Sequence, residues 1–154
     1  AVGQTARRAG RKPARHARHP ARTGRRPRVS GILVDTSVWV DHFRHGNDAL
    51  IRILDRDLVM IHPLIIGELA CGTPPSRTQT LTDLASLQPA RQASAGEVLD
   101  FIDREHLFGL GCGIVDMHLL ASTLITQGAR LWTLDKRLDM LAERFGVAHR
   151  IGAH

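Results

Sequence analysis

The chain has 154 residues, 43% of them apolar, which is typical of one globular domain with a core of its own. Its formal charge is +6, but residues 1–30 hold nine Arg, one Lys and no acid, so they carry +10 and leave −4 for residues 31–154. No apolar run approaches 18 residues, which argues against a membrane-spanning helix. Two widely separated cysteines favour a reducing compartment, with the cytoplasm as the default, over a disulfide framework or a zinc site.

The first 30 residues are rich in Arg, Pro, Gly and Ala and nearly lack large apolar side chains. Such a segment cannot offset the entropy cost of ordering, so we expect it to be disordered and separate from a folded domain over residues 31–154. Three interpretations stay open: an arm that binds nucleic acid, a targeting segment, and sequence from upstream of the true start or from cloning. The lack of an apolar h-region weighs against targeting.

Residues 32–62 contain the first two predicted strands. "ILVD" (32–35) and "LVMIH" (58–62) are continuous apolar runs, as in parallel strands that are covered on both faces. Between them, "TSVWVDHFR" and "DALIRILDRD" have the caps and the apolar spacing of helices.

Five further helices and a third strand are predicted downstream. Pro63 suits the first turn of "PLIIGELACG", Ser76 is a candidate cap for the next helix, and after a break at Pro89, Ser94 caps "SAGEVLDFIDREHLFG". A glycine-rich turn then precedes a helix in "GIVDMHLLASTLITQG". "ARLWTLD" (129–135) is the third strand, "KRLDMLAERFG" a helix and "VAHRI" a candidate edge strand. This alternation predicts a parallel sheet in a three-layer α/β/α sandwich.

Four acids are set apart by their positions and are candidate catalytic residues. Asp35 and Asp135 end predicted strands, Asp116 begins a helix, and Glu68 lies within the apolar helix "LIIGELA". Each Asp also stands at a helix start, where a carboxylate commonly caps backbone N–H groups. Burying Glu68 among apolar neighbours is costly unless a cation or a donor meets it, and the alternative is that Glu68 forms an exposed stripe.

These acids are expected to lie together, because ligands of parallel sheets bind in a crevice at the carboxyl ends of the strands. Clustered carboxylates raise one another's pKa unless a cation compensates their charge, and Mg²⁺ or Mn²⁺ prefers carboxylate oxygen. Such an ion activates water and neutralises the charge that develops on a phosphodiester. The residues therefore predict metal-dependent phosphoryl hydrolysis, with RNA, single-stranded DNA and a small phosphoester all open as substrates.

Four motifs, "LVDTSVWVD", "IHPLIIGELACG", "GIVDMHLLASTL" and "LWTLDKRLDMLA", resemble those of PIN-domain ribonucleases, particularly the toxins of VapBC-type toxin–antitoxin modules. The resemblance covers about residues 31–151. It implies a three-layer α/β/α fold, Mg²⁺ or Mn²⁺ dependence, endonucleolytic cleavage of RNA, inhibition by a cognate antitoxin, and a homodimer. The first two predicted helices are then a candidate groove for an antitoxin helix, although core packing explains their apolar residues equally well.

The resemblance also implies a role for each acid. The four acids of the family match four acids here in chain order: Asp35, Glu68, Asp116 and Asp135. Three of them are implied as metal ligands: Asp35, Asp116 and Asp135. Ser37 matches a hydroxyl that supports the first acid or the water on the metal. Asp139, one helical turn after Asp135, is an alternative for the fourth acid or shares its role.

In the expected mechanism, Asp35 and Asp116 hold the metal most directly, while Glu68 and Asp135 orient the attacking water. Three basic residues are candidate phosphate contacts, with an ordinary solvated position as the alternative for each: Arg44, Lys136 and Arg137. The competing function is a PIN-like module without catalysis that binds RNA or a protein. The presence of all four acids disfavours that alternative.

Overall fold

The computed structural model describes residues 29–152, and nearly all of the tail predicted at residues 1–30 lies outside this described part. In residues 29–152 the chain forms four strands and seven helices. In chain order they are β1 (Gly31–Val34), α1 (Thr36–His45), α2 (Asp48–Asp55), β2 (Val59–Ile61), α3 (Pro63–Cys71), α4 (Arg77–Ala85), β3 (Gln88–Pro89), α5 (Ala95–Arg104), α6 (Ile114–Ile125), β4 (Ala129–Trp132) and α7 (Lys136–Arg144). None of these helices is long and apolar enough to cross a membrane.

The strands form one parallel sheet in the order β3-β2-β1-β4. The central strand β1 pairs with β2 through Ile32 opposite Val59, and with β4 through Val34 opposite Trp132. Ile32, Leu33 and Val34 are each 2% exposed or less, although successive side chains of a strand point to opposite faces. Both faces of the sheet are therefore covered, and the predicted α/β fold with a short parallel sheet is confirmed.

Two groups of helices cover the sheet. Helix α3 contacts α1 and α4, while α6 contacts α5, α7 and β4. The core that they enclose is aliphatic: Val38, Ile65, Leu119 and Leu138, from four different helices, are fully buried. Burial of side chains of this size contributes roughly 1.5–3 kcal/mol each, so the sheet and its helices are held together mainly by this core.

Three helices begin at the carboxyl edge of the sheet. Helix α1 follows β1, α3 follows β2 and α7 follows β4, each within four residues of the strand end. Their N-cap residues are Asp35, His62 and Asp135, whose side chains accept hydrogen bonds from the first helical N–H groups. The short connections bring the positive ends of three helix dipoles to one edge, where they favour negative charge.

Ser76 and Pro89 behave differently from the prediction. Ser76 precedes α4 but has a left-handed backbone (φ 46°), and its side chain makes no capping hydrogen bond, because capping by a hydroxyl requires an extended backbone. Pro89 does not interrupt the fold. It belongs to β3 and pairs with Ile61 at the edge of the sheet, where a proline is tolerated.

The last predicted strands are shorter than expected. β4 ends at Trp132 rather than Asp135, because Thr133 and Leu134 turn the chain into α7. The stretch "VAHRI" forms one bridge, between Leu131 and Ala148, and not a regular edge strand. Asp135 is therefore a helix cap and not a strand terminus.

Candidate active site

Asp35 is the most firmly held of the four acids. Its side chain is 7% exposed, and Oδ1 accepts a hydrogen bond from the Thr36 backbone N–H at 2.8 Å. Oδ2 accepts from the hydroxyls of Ser37 and Thr133, both at 2.8 Å. Three donors thus fix the orientation of the carboxylate, so Asp35 both caps α1 and occupies a defined place beyond β1.

Thr133 connects two of the acids, although its place in the sequence did not mark it as a candidate. Its hydroxyl donates to Asp35 and accepts from the Asp135 backbone N–H at 3.0 Å, while the residue is only 6% exposed. Ser37 completes the connection, since its hydroxyl oxygen accepts from the Leu134 N–H at 3.0 Å. The sequence feature that could have indicated Thr133 is a hydroxyl residue in "LWTLD", between a buried strand and a candidate acid.

Asp135 and Asp139 have different surroundings. Asp135 Oδ1 accepts from the N–H groups of Arg137 and Leu138 at 2.9 and 3.0 Å, which caps α7. Asp139 Oδ1 instead accepts from Arg150 at 2.7 Å in an ion pair. Asp139 is thus paired with an arginine of the protein itself, whereas Asp135 caps α7 and lies beside Thr133.

Asp116 experiences the charge of all three other acids. It begins α6, and its Oδ2 accepts from the Gly113 N–H at 3.1 Å. Burial raises the pKa of Asp116, and the charges of Asp35, Asp135 and Glu68 raise it further, against the opposing effect of the Gly113 bond. Asp116 therefore lies close enough to Asp35, Asp135 and Glu68 for their charges to act on it.

Glu68 lies on the exposed side of α3, although its neighbours in the sequence are apolar. Its Oε2 accepts a hydrogen bond from the Thr36 hydroxyl, which joins α3 to the start of α1. The expectation of a costly buried carboxylate is thus wrong, because Ile65 and Leu69 turn inward while Glu68 faces outward. Thr36 and Glu68 line a cleft of about 440 Å³.

The three basic candidates occupy different places around the acids. Arg44 lines the same cleft as Glu68. Arg137, in the first turn of α7, extends to the loop before α6, where its Nη1 lies 3.4 Å from the Gly111 carbonyl oxygen. Lys136 is exposed at the start of α7.

The donor set suits a hydrated magnesium or manganese ion. Within residues 29–152, no three carboxylate, imidazole or thiolate side chains approach closely enough to form a complete cage for an ion. Mg²⁺ does not require one, because it usually keeps several waters and binds through one or two carboxylates. Repelling carboxylates on Asp35, Asp116 and Asp135 provide hard oxygen donors and excess negative charge, so these residues fit such an ion.

His62 caps the helix that carries Glu68. Its Nδ1 accepts from the Leu64 N–H at 3.0 Å, so the ring must be neutral with its proton on Nε2. Burial lowers the pKa of His62, and the nearby His118 lowers it further, so the neutral cap is stabilised. The ring is 2% exposed.

We expect the stability of the protein to fall as the pH decreases below about 6.5, because the unfolded chain then binds a proton that folded His62 resists. The loss should be at most about 1.4 kcal/mol per pH unit. His62→Asn keeps a capping oxygen without a titratable ring, so urea unfolding of this variant should depend less on pH between 6.5 and 5. Parallel losses in both proteins would contradict this role of His62.

A short parallel sheet under helices, with acids gathered at its carboxyl edge, defines the protein as a PIN-like α/β domain. It is 44% identical over 117 residues to "Ribonuclease VapC32" of Mycobacterium tuberculosis, in both strain CDC 1551 / Oshkosh and strain ATCC 25618 / H37Rv; the aligned region is 76% of this chain and 94% of the relative. No family model matches the chain. The chain therefore belongs to the VapC family of PIN-domain toxin ribonucleases, which confirms the resemblance of the four motifs.

Proposed function

We propose that this protein is a metal-dependent endoribonuclease toxin that hydrolyses phosphodiester bonds of RNA and is neutralised by a cognate antitoxin. The observation that supports the proposal is that Asp35, Asp135 and Glu68, from separate elements, lie near enough to Asp116 for their charges to raise its pKa, after the larger effect of burial. Similarity to a protein named ribonuclease supports RNA as the substrate.

The metal is proposed to be Mg²⁺ or Mn²⁺, which the carboxylates of Asp35 and Asp116 would hold most directly, with Asp135 as a further ligand through water. When bound, such an ion neutralises charge that develops on the phosphate and lowers the pKa of water. Asp35 is oriented for this role by hydroxyls of Ser37 and Thr133, which hold Oδ2 in place. Preorganised ligands of this kind need no rearrangement when the substrate binds.

Glu68 and Asp135 are proposed to position the water that attacks phosphorus. Within the described residues, one carboxylate oxygen of Glu68 accepts a hydrogen bond from the Thr36 hydroxyl. One carboxylate oxygen of Asp135 accepts hydrogen bonds from the N–H groups that begin α7. The second oxygen of each is left to accept a proton or a hydrogen bond from water. Alignment of the water by fixed acceptors reduces the entropy cost of the reaction.

The phosphate backbone of RNA is proposed to contact Arg44, Lys136 and Arg137 around the acids. Arg44 stands in the cleft beside Glu68, and the other two begin α7 next to Asp135. Positive side chains here would hold a polyanion against the repulsion of the acids. Such contacts position RNA without reading its sequence.

The antitoxin is proposed to occupy the cleft of about 440 Å³ between α1 and the end of α3. Val40, Phe43, Pro74 and Pro75 make its wall apolar, and Glu68 also lines the cleft, so a bound segment would cover this acid. The family resemblance further supports a homodimer. The two free cysteines, Cys71 and Cys112, suit the reducing cytoplasm.

Removal of the metal tests the proposal directly. We expect the full chain, freed of any partner, to cut RNA at discrete positions in Mg²⁺ or Mn²⁺ and to lose this activity in excess EDTA, with recovery when the metal is restored. The cuts are mapped by primer extension on total bacterial RNA. Single-stranded DNA of matching sequence and a small phosphodiester serve as competing substrates.

The outcomes separate the proposal from its alternatives. Cleavage that persists in EDTA would contradict the role of the metal. A folded protein that binds Mn²⁺ and RNA without cutting would instead be a binding module, and preferential cleavage of DNA would replace RNA as the substrate.

A further inference from the structure

The segment between α5 and α6, residues 105–113, is tied down at its start by the end of α5. His106 takes a left-handed backbone (φ 54°), and the Leu107 N–H bonds to the Ile102 carbonyl at 2.9 Å, which together close the helix. Leu107 is 2% exposed and anchors this turn in the core. The following residue, Phe108, is therefore directed outward, and it is 62% exposed.

Two arginines of α7 hold the 105–113 segment from its other side. Arg144 Nη2 donates to the Glu105 carbonyl at 3.1 Å, and Arg137 Nη1 contacts the Gly111 carbonyl at 3.4 Å. Gly111 has φ 81°, and a Cβ added there would come within 2.6 Å of Arg137 Nη1, so close approach of the guanidinium requires glycine. Residues seven apart lie on one face of a helix, so α7 supports both ends of the segment.

The far end of the segment enters the candidate active site. The Gly113 N–H donates to Asp116 Oδ2, and Arg137 lies two residues after Asp135. Because consecutive Cα atoms are ~3.8 Å apart, Phe108 lies no more than roughly 11 Å from Gly111. The exposed ring of Phe108 is thus presented by the same short segment whose far end bonds to Asp116.

The surface around Phe108 combines apolar area with positive charge. Leu110 and Ile114 are 43% and 52% exposed, and the His106 ring packs against Phe108 at 5.9 Å and 88°. Two guanidinium groups, those of Arg137 and Arg144, border the segment, whereas Arg104 is paired with Glu105. Single-stranded RNA matches this combination, because its bases stack on aromatic rings and its phosphates attract arginine. A second copy of the same surface would bring like charges together.

We propose that Phe108 is a substrate-binding residue whose ring stacks against an unpaired base of the RNA beside the bond to be cut, with Arg137 and Arg144 holding the segment that presents it. This inference rests on the proposed ribonuclease function. It assigns recognition of the flanking nucleotide to residues 105–113, whereas the acids carry the chemistry. Because a stacking platform accepts any base, it favours unpaired RNA over a particular sequence.

Binding of single-stranded RNA to the full chain tests the proposal. All proteins carry Asp116→Asn to prevent cutting, and the oligoribonucleotides contain one abasic site moved along the strand. Phe108→Ala should weaken binding by roughly 5- to 150-fold, whereas Phe108→Trp should restore it. The matched control is Leu99→Ala, since Leu99 is 58% exposed on α5 and should leave affinity unchanged.

The abasic scan identifies the stacked base. In the protein with Phe108, loss of the base at one position should weaken binding, and in Phe108→Ala the same loss should have little further effect. Independent, additive losses would overturn the proposal, as would unchanged affinity in Phe108→Ala. A shift of Phe108→Ala from dimer to monomer in sedimentation would also overturn it and assign the surface to a second copy.

The cleavage assay separates this proposal from the proposed function. With Asp116 restored, Phe108→Ala should lose activity on RNA but keep activity on a small phosphodiester that has no bases. An active RNase in which Phe108→Ala is neutral refutes the stacking role alone. If the protein neither binds nor cuts RNA, the proposed function and this inference fail together.

Discussion

Asp116→Asn is expected to lower metal-dependent RNA cleavage by a factor of about 10² or more. The substitution keeps the shape of the side chain and its bond from the Gly113 N–H, but it removes the negative charge that a cation needs. Initial rates on one RNA, measured at saturating Mg²⁺, provide the test. Glu97→Gln is a matched control, because Glu97 holds the equivalent capping position in α5. This substitution should leave the cleavage rate unchanged.

The same variant should not be less stable than the parent protein in the absence of metal. The raised pKa of Asp116 means that the folded state resists ionisation of this group, so its contribution to stability is present at low pH and is lost as the pH rises through that raised pKa. Asn does not titrate. The free energy of unfolding of the variant, measured in urea with EDTA, should therefore rise relative to that of the parent protein between pH 4 and pH 7.

The two measurements together distinguish a catalytic acid from a simple helix cap. A cap alone predicts lower stability in Asp116→Asn and unchanged cleavage. The opposite pattern, lower cleavage without lower stability, is the one that we expect from an acid placed among three other acids for a function.

Thr133→Val is expected to lower the free energy of unfolding by about 1–3 kcal/mol and to reduce cleavage by roughly tenfold or more. Valine has nearly the shape of threonine but can neither donate to Asp35 nor accept from the Asp135 N–H, so both groups lose a partner at a buried position. Chemical denaturation and initial cleavage rates measure the two effects. The loss of activity should appear mainly in kcat, because the substituted group orients a catalytic acid and does not contact RNA.

Thr123→Val is the control for this change. Thr123 is 1% exposed, and within residues 29–152 its hydroxyl bonds to the Leu119 carbonyl of the same helix. Thr123→Val should lower the free energy of unfolding by less than about 1 kcal/mol and leave cleavage unchanged. Equal effects of the two substitutions would remove the special role of Thr133, and a stability loss without a change in cleavage would make it purely structural.

The sequence by itself determined the fold class and the order of most elements. The uninterrupted apolar runs "ILV" and "VMI" predict strands covered on both faces, and the structure places them at the centre of a parallel sheet. Because such strands require helical crossovers, the carboxyl edge and the acids near it followed from pattern alone. Capping chemistry is also local, so Ser94 and Pro63 were readable as helix starts.

Tertiary structure decided which groups meet. Thr133 and Asp35 are 98 positions apart, and Thr36 and Glu68 are 32 apart, so no local pattern contains these hydrogen bonds. The exposure of Glu68 and the ion pair between Asp139 and Arg150 depend on how α3 and α7 rotate against the sheet. The residue types and their spacing thus specified the chemistry available, whereas only packing of distant segments determined the orientation, burial and partner of each carboxylate.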